Sequence, residues 1–414
     1  MAAIAAQDQG AATLLVEKGN RLGRKLGISG GGRCNVTNAK PLPELMQNIP
    51  GNSRFLYSAL TQFSNQDVIL FFEDLGIRVK EEDRGRVFPV SDKAATVVQA
   101  LIDRTYESGV EVWTETPVQE LLLQDGNVQG VRLRNGKLVR ATTVIVAAGG
   151  TSVPKTGSTG DAYPWAEKAG HTIVPPYPTA VPLTSKEPFI TSRSLQGLSL
   201  RAIDMTIRDG RGKSLTTENG DMIFTHFGLS GPAALRCSHY VSTALLRDPQ
   251  AIVTTEIDLL PATTAAEIDA QLQRARKTEA KKHLANLLRQ QVDVPERLIE
   301  VILERTQLDG TQVVGNLSNL AIASLTQYLK AFPVKLTGTL PLDQATVTGG
   351  GVSVKEIDPR SMASKRCRGL YFAGEVMDVH AHTGGYNITV AFSTGHLAGQ
   401  SAASFALESR TSEG

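Results

Sequence analysis

Cysteine is scarce, with three in 414 residues, Cys34, Cys237 and Cys367. They stand far apart, with no CxxC and no Cys/His ligand spacing, so neither a disulfide framework nor a metal site is expected and a reducing cytoplasm is the anticipated setting. Charge of one sign is lacking too: 43 basic against 41 acidic residues leave +2. Bulk electrostatics therefore give no argument for nucleic acid, although a local patch stays open. The small, apolar N-terminal stretch AAIAAQDQGAATLLV has no basic flank and reaches Glu17 before any run of membrane length forms, so neither signal peptide nor anchor is read there. No internal repeat and no low-complexity segment occurs. GxGxxG is absent as well, which argues against a separate nicotinamide-binding Rossmann domain.

What is present is ordinary globular material, 41% hydrophobic and 20% charged, long enough for two or three domains. Residues 1–9 favour helix and Gly10 a stop. A short strand over 13–16 then ends in Glu17, so the order is helix then strand. Helices are predicted over 54–62, over 65–75 with Ser64 as N-cap, and over 93–108, with a charged hairpin near 79–90. Turn signals at Asp125-Gly126-Asn127 and Asn135-Gly136 divide 110–146 into a meander. It closes on VIVAAGG, an apolar run of the kind buried on both faces of a parallel sheet. Residues 182–260 look strand-like and turn-rich throughout, and 264–331 strongly helical. After Pro333 strands return, ending with GLYFAGE and a helix from about Asn387.

Two acids and two glycine clusters have the chemistry of a dinucleotide site. Glu17, at the end of a short strand, is placed to accept the ribose hydroxyls of an adenosine. In GISGGGRCNVTN, consecutive glycines let backbone pass close to a flat or anionic ligand, and Arg33 and Asn35 can donate to phosphate or carbonyl oxygens. Cys34 reads as a packed small residue, since no base lies near it in sequence. In GLYFAGEVMDVHAHTGGYNITVAFSTGHLAG, Gly374 allows close approach, Glu375 can hold a polyol hydroxyl, and Gly384 and Gly385 precede a helix N-terminus suited to an electron-rich ring edge.

The chain resembles the BaiN/RdsA-like flavoproteins, NAD(P)/FAD-dependent oxidoreductases that include aminoacetone oxidase-like enzymes. The resemblance rests on GNRLGRKLGISGGGRCNVTN, EEDRGRVFPVSDKAATVVQAL, TGSTGDAYPWAEKAGH, FTHFGLSGPAALRCS, VTGGGVSVKEI and the C-terminal stretch above. It implies an α/β fold: a glutathione reductase-like FAD domain of the two-dinucleotide-fold type, with inserted β-barrel-like and small helical domains. The expected boundaries are 1–180 and 347–414 for the FAD domain, 181–262 with 333–346 for the β-domain, and 263–332 for the helices. By the same resemblance Glu17 would hold the adenosine ribose, the backbone of Val118 would meet the adenine, and Lys18, Arg24, Ala147, Ala148, Gly149 and Gly150 would line the cofactor. Ser29, Gly30, Gly31, Gly32, Arg33, Cys34 and Asn35, with Gly374 and Glu375, would surround the pyrophosphate, ribitol and isoalloxazine. Gly384, Gly385, Tyr386, Asn387, Ile388 and Thr389 would complete that set.

Members of this family begin with a strand and GxGxxG, whereas Met1 aligns just after those glycines, and Ala381 stands where relatives tend to carry glycine. A misplaced start or shortened gene model is the expectation drawn from the first departure. Its functional counterpart is a truncated product with impaired FAD binding. The expected activity is hydride exchange through the flavin with NAD(P)H as candidate donor and a small molecule as substrate, in a cleft between the FAD domain and the inserted domains. Reduction of a ribosomal RNA uridine is the alternative, with the basic stretch 274–289 as its contact. His226, His380 and His382 are weak candidates for acid/base work, each more often a structural residue.

Overall fold

The computed structural model describes residues 1–412 and divides into two compact units, Met1–Tyr177 with Leu342–Gly414, and Pro178–Pro341.

In the first unit, short apolar runs form two parallel pairs. β1 (Leu14–Val16) pairs with β5 (Glu111–Trp113), Leu14 opposite Glu111, and β9 (Val144–Val146) with β19 (Leu370–Phe372), Val144 opposite Leu370. The meander of β6 (Val118–Gln124), β7 (Asn127–Leu133) and β8 (Leu138–Arg140) turns where Asp125-Gly126 and Asn135-Gly136 stand. Asp125, Gly126 and Gly136 all adopt positive φ, as such turns require. A second three-stranded sheet joins β2 (Thr37–Asn38), β4 (Arg86–Pro89) and β3 (Val79–Glu82).

Helix Asn65–Asp74 starts where Ser64 predicts, with a full capping box between Ser64 and Asp67. The long helix Tyr386–Ser412 contributes Val390, Leu397, Ala398 and Ala402 to the main core of this unit. Gly399 and Ala5 bring it close against the first helix, Ala2–Asp8, because a side chain at Gly399 would overlap the Ala2 carbonyl.

β10 (Ile173–Thr179) pairs with β18 (Val347–Val352), whose residues are all buried. Its glycines are there for contact: a Cβ on Gly349 would sit inside the Tyr177 ring and one on Gly350 against the Pro175 carbonyl.

The second unit is a seven-stranded antiparallel sheet in the order β16 (Phe332–Leu336), β15 (Val253–Asp258), β12 (Ser199–Arg208), β13 (Ser214–Phe224), β14 (Gly228–Ser230), β11 (Leu183–Thr184), β17 (Gly338–Thr339). Since β16 runs directly into β17, one stretch of chain borders both ends of the sheet and curls it. Helices Ala265–Thr278, Leu284–Gln291, Glu296–Thr306 and Asn319–Lys330 share one hydrophobic cluster with that sheet. The all-β reading of 182–260 is corrected by a helix, Pro232–Arg247. Its buried face is Ala233, Ala234, Cys237, Ser238, Val241 and Ser242, small residues that let it lie close on the strands.

Candidate functional site

A cavity of about 1630 Å³ opens in the first unit, bordered by all of β1 on one side and all of β9 on the other. Each of these strands is bonded to a neighbour on one edge only, so open backbone edges flank the space. It exceeds the ~300–1,000 Å³ of ordinary ligand pockets, and strands of two separate parallel pairs border it.

Part of the expected set lines this cavity: Glu17, Lys18, Arg24, Val118, Ala147, Ala148 and Gly149. Glu17 follows β1 directly, and its Oε1 accepts the Gly19 N–H at 2.6 Å. Lys18 reaches across to Thr159 (2.5 Å) and Asp161 (2.7 Å), and Arg24 donates to the Lys155 carbonyl at 2.6 Å. With Arg21 and Lys25, one stretch of chain thus sets four cations along the wall.

The glycine loop and the start of the last helix meet elsewhere, through β2. Gly30, Gly31, Gly32 and Cys34 all have positive φ, a run that glycine adopts readily and Cys34 accepts while fully buried, its N–H held by the Ser29 carbonyl. Burial pushes the Cys34 thiol up to about 11, the opposite of an activated nucleophile. Ser29 caps back onto the Leu26 carbonyl.

Asn35 is buried with Oδ1 unpartnered, and the Cα of Gly385 lies so close to the Thr37 carbonyl and Asn35 Oδ1 that a side chain there would overlap both. Asn38 donates to the Gly384 carbonyl at 2.9 Å, and Thr37 and Thr389 share a buried hydroxyl contact at 2.7 Å. Tyr386 is buried nearby in the core. Ile388 packs with Val36 and Phe72.

Several expected residues are spent on structure. Arg33 pairs with Glu82 and Asp92 and lies over Phe88, 4.1 Å from Cζ to the ring centroid, so its charge tethers the glycine loop to the β3–β4 hairpin. Asn387 closes the turn before its helix, bonding Ala381 N–H and O at 2.8 Å each. His380 is 2% exposed, its ring edge-on to Tyr177 and against Gly51. His382 is buried, with its backbone N–H on the Asn48 carbonyl. His226 stands in the exposed turn between β13 and β14 of the second unit.

A third group joins the two halves. Glu375 Oε1 accepts from Thr348 N–H at 2.7 Å and Ser152 Oγ at 3.1 Å, while Oε2 receives Lys25 Nζ at 2.6 Å. Thr348 Oγ1 in turn accepts the N–H groups of Thr151 and Ser152, each at 2.9 Å. Gly150 lies so near Thr348 that only a residue without Cβ fits. Sequence reasoning missed Lys25, Ser152 and Thr348; apart from Thr348 and Glu375, 27 residues apart, their partners lie more than a hundred residues away, and no local pattern announces them.

The site suits a dinucleotide on two observations of its own: an acid and a row of cations along a large cavity, and glycine positions where a Cβ would overlap backbone or buried side chains. The family model described as HI0933-like protein Rossmann domain matches residues 1–401. The chain belongs to this family.

Among its relatives, the ribosomal RNA dihydrouridine synthase of Haemophilus influenzae is 31% identical over 389 residues, 94% of this chain and 91% of that protein. The enzyme of the same name from Escherichia coli is 33% identical over 393 residues, covering 93% and 90%. A 3-dehydro-bile acid delta(4,6)-reductase of Clostridium scindens is 29% identical over 412 residues, covering 97% and 96%. Among solved structures, a quinol–fumarate reductase with menaquinol molecules superposes at a TM-score of 0.50 with 16% identity, over 99% of this chain and 69% of that one. As an HI0933-like protein, the chain has a Rossmann-like FAD-binding fold and is an FAD-dependent oxidoreductase. Among the described residues no helix is long and apolar enough to cross a membrane.

Proposed function

We propose that this HI0933-like protein reduces a carbon–carbon double bond conjugated to a carbonyl, with FAD in the first unit and NAD(P)H as hydride source. The observation that carries the reading is the convergence of Glu17, Val118, residues 147–149 and four cations on one cavity beside open parallel strands. The names of the relatives favour the substrate class. Making dihydrouridine from uridine and reducing a 3-dehydro-delta(4,6) bile acid both saturate a bond activated by a carbonyl.

Glu17, steadied by Gly19, would accept ribose hydroxyls, and Lys18, Arg21 and Arg24 would offset diphosphate charge. Glu375 would orient the polyol, and the N-terminus of helix Tyr386–Ser412 would favour negative charge on the ring edge facing it. Bound there, FAD supplies hydride transfer at N5, and the chain supplies orientation and electrostatics.

The choice between a small enone and RNA is open to experiment. Two relatives named for ribosomal RNA favour the second reading, and Arg274, Lys277 and Lys281 are exposed, whereas Arg276, Lys282 and Arg289 are tied to Asn319, Glu279 and Glu296.

The test is anaerobic titration of FAD-reconstituted protein with NADH or NADPH, followed by a 3-keto-4-ene steroid acid or a ribosomal RNA fragment. Loss and then return of the flavin absorption bands is the expected sequence. A protein that takes up no FAD sinks the cofactor reading, and a reduced protein that neither acceptor reoxidises sinks the substrate class. RNA as substrate additionally requires affinity that falls with salt, by about one power of ten per tenfold salt for each phosphate neutralised.

A further inference from the structure

Among the described residues of the first unit, Lys25 is the cation that joins the cavity to the Glu375 turn. It lines the cavity that carries the adenosine-end residues, yet its ammonium is bonded into the Glu375 turn: 2.6 Å to Glu375 Oε2, 3.0 Å to Ser152 Oγ and 3.4 Å to the Ser152 carbonyl. Four stretches of chain meet around the Glu375 carboxylate, near 25, 150–152, 346–348 and 374–375. Ser152 and Thr348 are fully buried, and the Glu375 side chain is only 20% exposed. The other donors to this carboxylate, Thr348 N–H and Ser152 Oγ, are neutral. Lys25 is the cation paired with it, and its loss leaves a partly buried negative charge beside the place proposed for a cofactor that brings two phosphates.

We propose that Lys25 is a positioning residue that neutralises Glu375 and so sets the charge of the cofactor site, which rests on the FAD reading above. Two effects follow from electrostatics. The diphosphate meets a site without net repulsion from Glu375, and negative charge gained by the isoalloxazine on two-electron reduction is better tolerated. The hydrogen bonds of Lys25 also hold helix Arg24–Ile28 to the Gly374-Glu375 turn, but charge and geometry can be separated by substitution.

The experiment measures FAD affinity and the two-electron midpoint potential of bound FAD for wild type, Lys25→Met, Lys25→Gln and Lys25→Arg, with melting curves of the FAD-free proteins as the fold control. Lys25→Gln keeps hydrogen-bonding capacity without charge and serves if Lys25→Met does not fold. The expected result is FAD binding weaker by about ten- to a hundredfold in both neutral variants, the range for losing one charge-assisted contact. Their midpoint potential should move to more negative values, and Lys25→Arg should restore both quantities. Wild-type affinity and potential in Lys25→Gln overturn the proposal while leaving FAD in place. A wild-type chain that binds no FAD overturns the cofactor reading, and the role of Lys25 falls with it.

Discussion

At the scale of the residue, the site depends on close approach as much as on charge. Gly150 has ordinary backbone angles, so its requirement is packing alone: a methyl group there would overlap Thr348 and displace the oxygen that accepts from Thr151 and Ser152. Gly150→Ala should therefore cost about 1–3 kcal/mol, the usual price of overpacking, read as a lower midpoint in denaturant unfolding; an unchanged midpoint would show that Thr348 yields freely. Glu17, Glu375 and the glycine pairs were legible as candidates because an acid at a strand end and glycine before a helix are local patterns. Arg33 was legible only as a donor. That it serves Glu82 and Asp92, 49 and 59 residues on, is decided by where the β3–β4 hairpin folds back.

Elements are joined here by polar clips as well as by apolar contact. The segment 353–368 is fastened to the start of β10 by one such clip, in which buried His171 bonds Ser364 Oγ at 2.6 Å and faces Glu356 at 3.6 Å. Glu356 also receives Thr172 N–H at 2.8 Å and Arg366 at 2.9 Å. Burial holds the His171 imidazole below its ordinary range, with Glu356 opposing and Arg366 assisting.

A depressed folded value means that the unfolded chain binds the proton first. Stability is then complete above the ordinary histidine range and is lost as pH falls through it toward the folded value. Burial depresses His396 in the same sense. Unfolding free energy should drop on going from about pH 7.5 to about pH 5, by at most ~1.4 kcal/mol per pH unit for each such histidine. His171→Gln should flatten that dependence. Equal slopes in variant and wild type would remove His171 from the account.

The same scale shows why the helix Pro232–Arg247 escaped notice while Asn65–Asp74 did not. The second has a capping box that marks its start, whereas the first begins at Pro232 after Gly231, with no side-chain cap, inside a stretch rich in turn residues.

For the whole molecule, two compact units divide the chain, the first assembled from its two ends. FAD that binds the folded first unit and not the unfolded chain should stabilise it by ~2.7 kcal/mol at a concentration about a hundredfold above Kd. Hydrogen exchange at β1, β9 and the Thr37–Asn38 strand should slow together. Slowing confined to one of these places would mean that the cavity and the glycine loop do not serve one ligand.

By itself the sequence determined the membership, the FAD-type chemistry and most helices and strands, because caps, turns, apolar periods and acid or glycine motifs act over a few residues. Only the tertiary structure decided which cation meets Glu375, which histidines are packed away and that β1 and β9 face one cavity. Those depend on contacts between residues more than a hundred positions apart, whose energies exist only once the chain has brought them together.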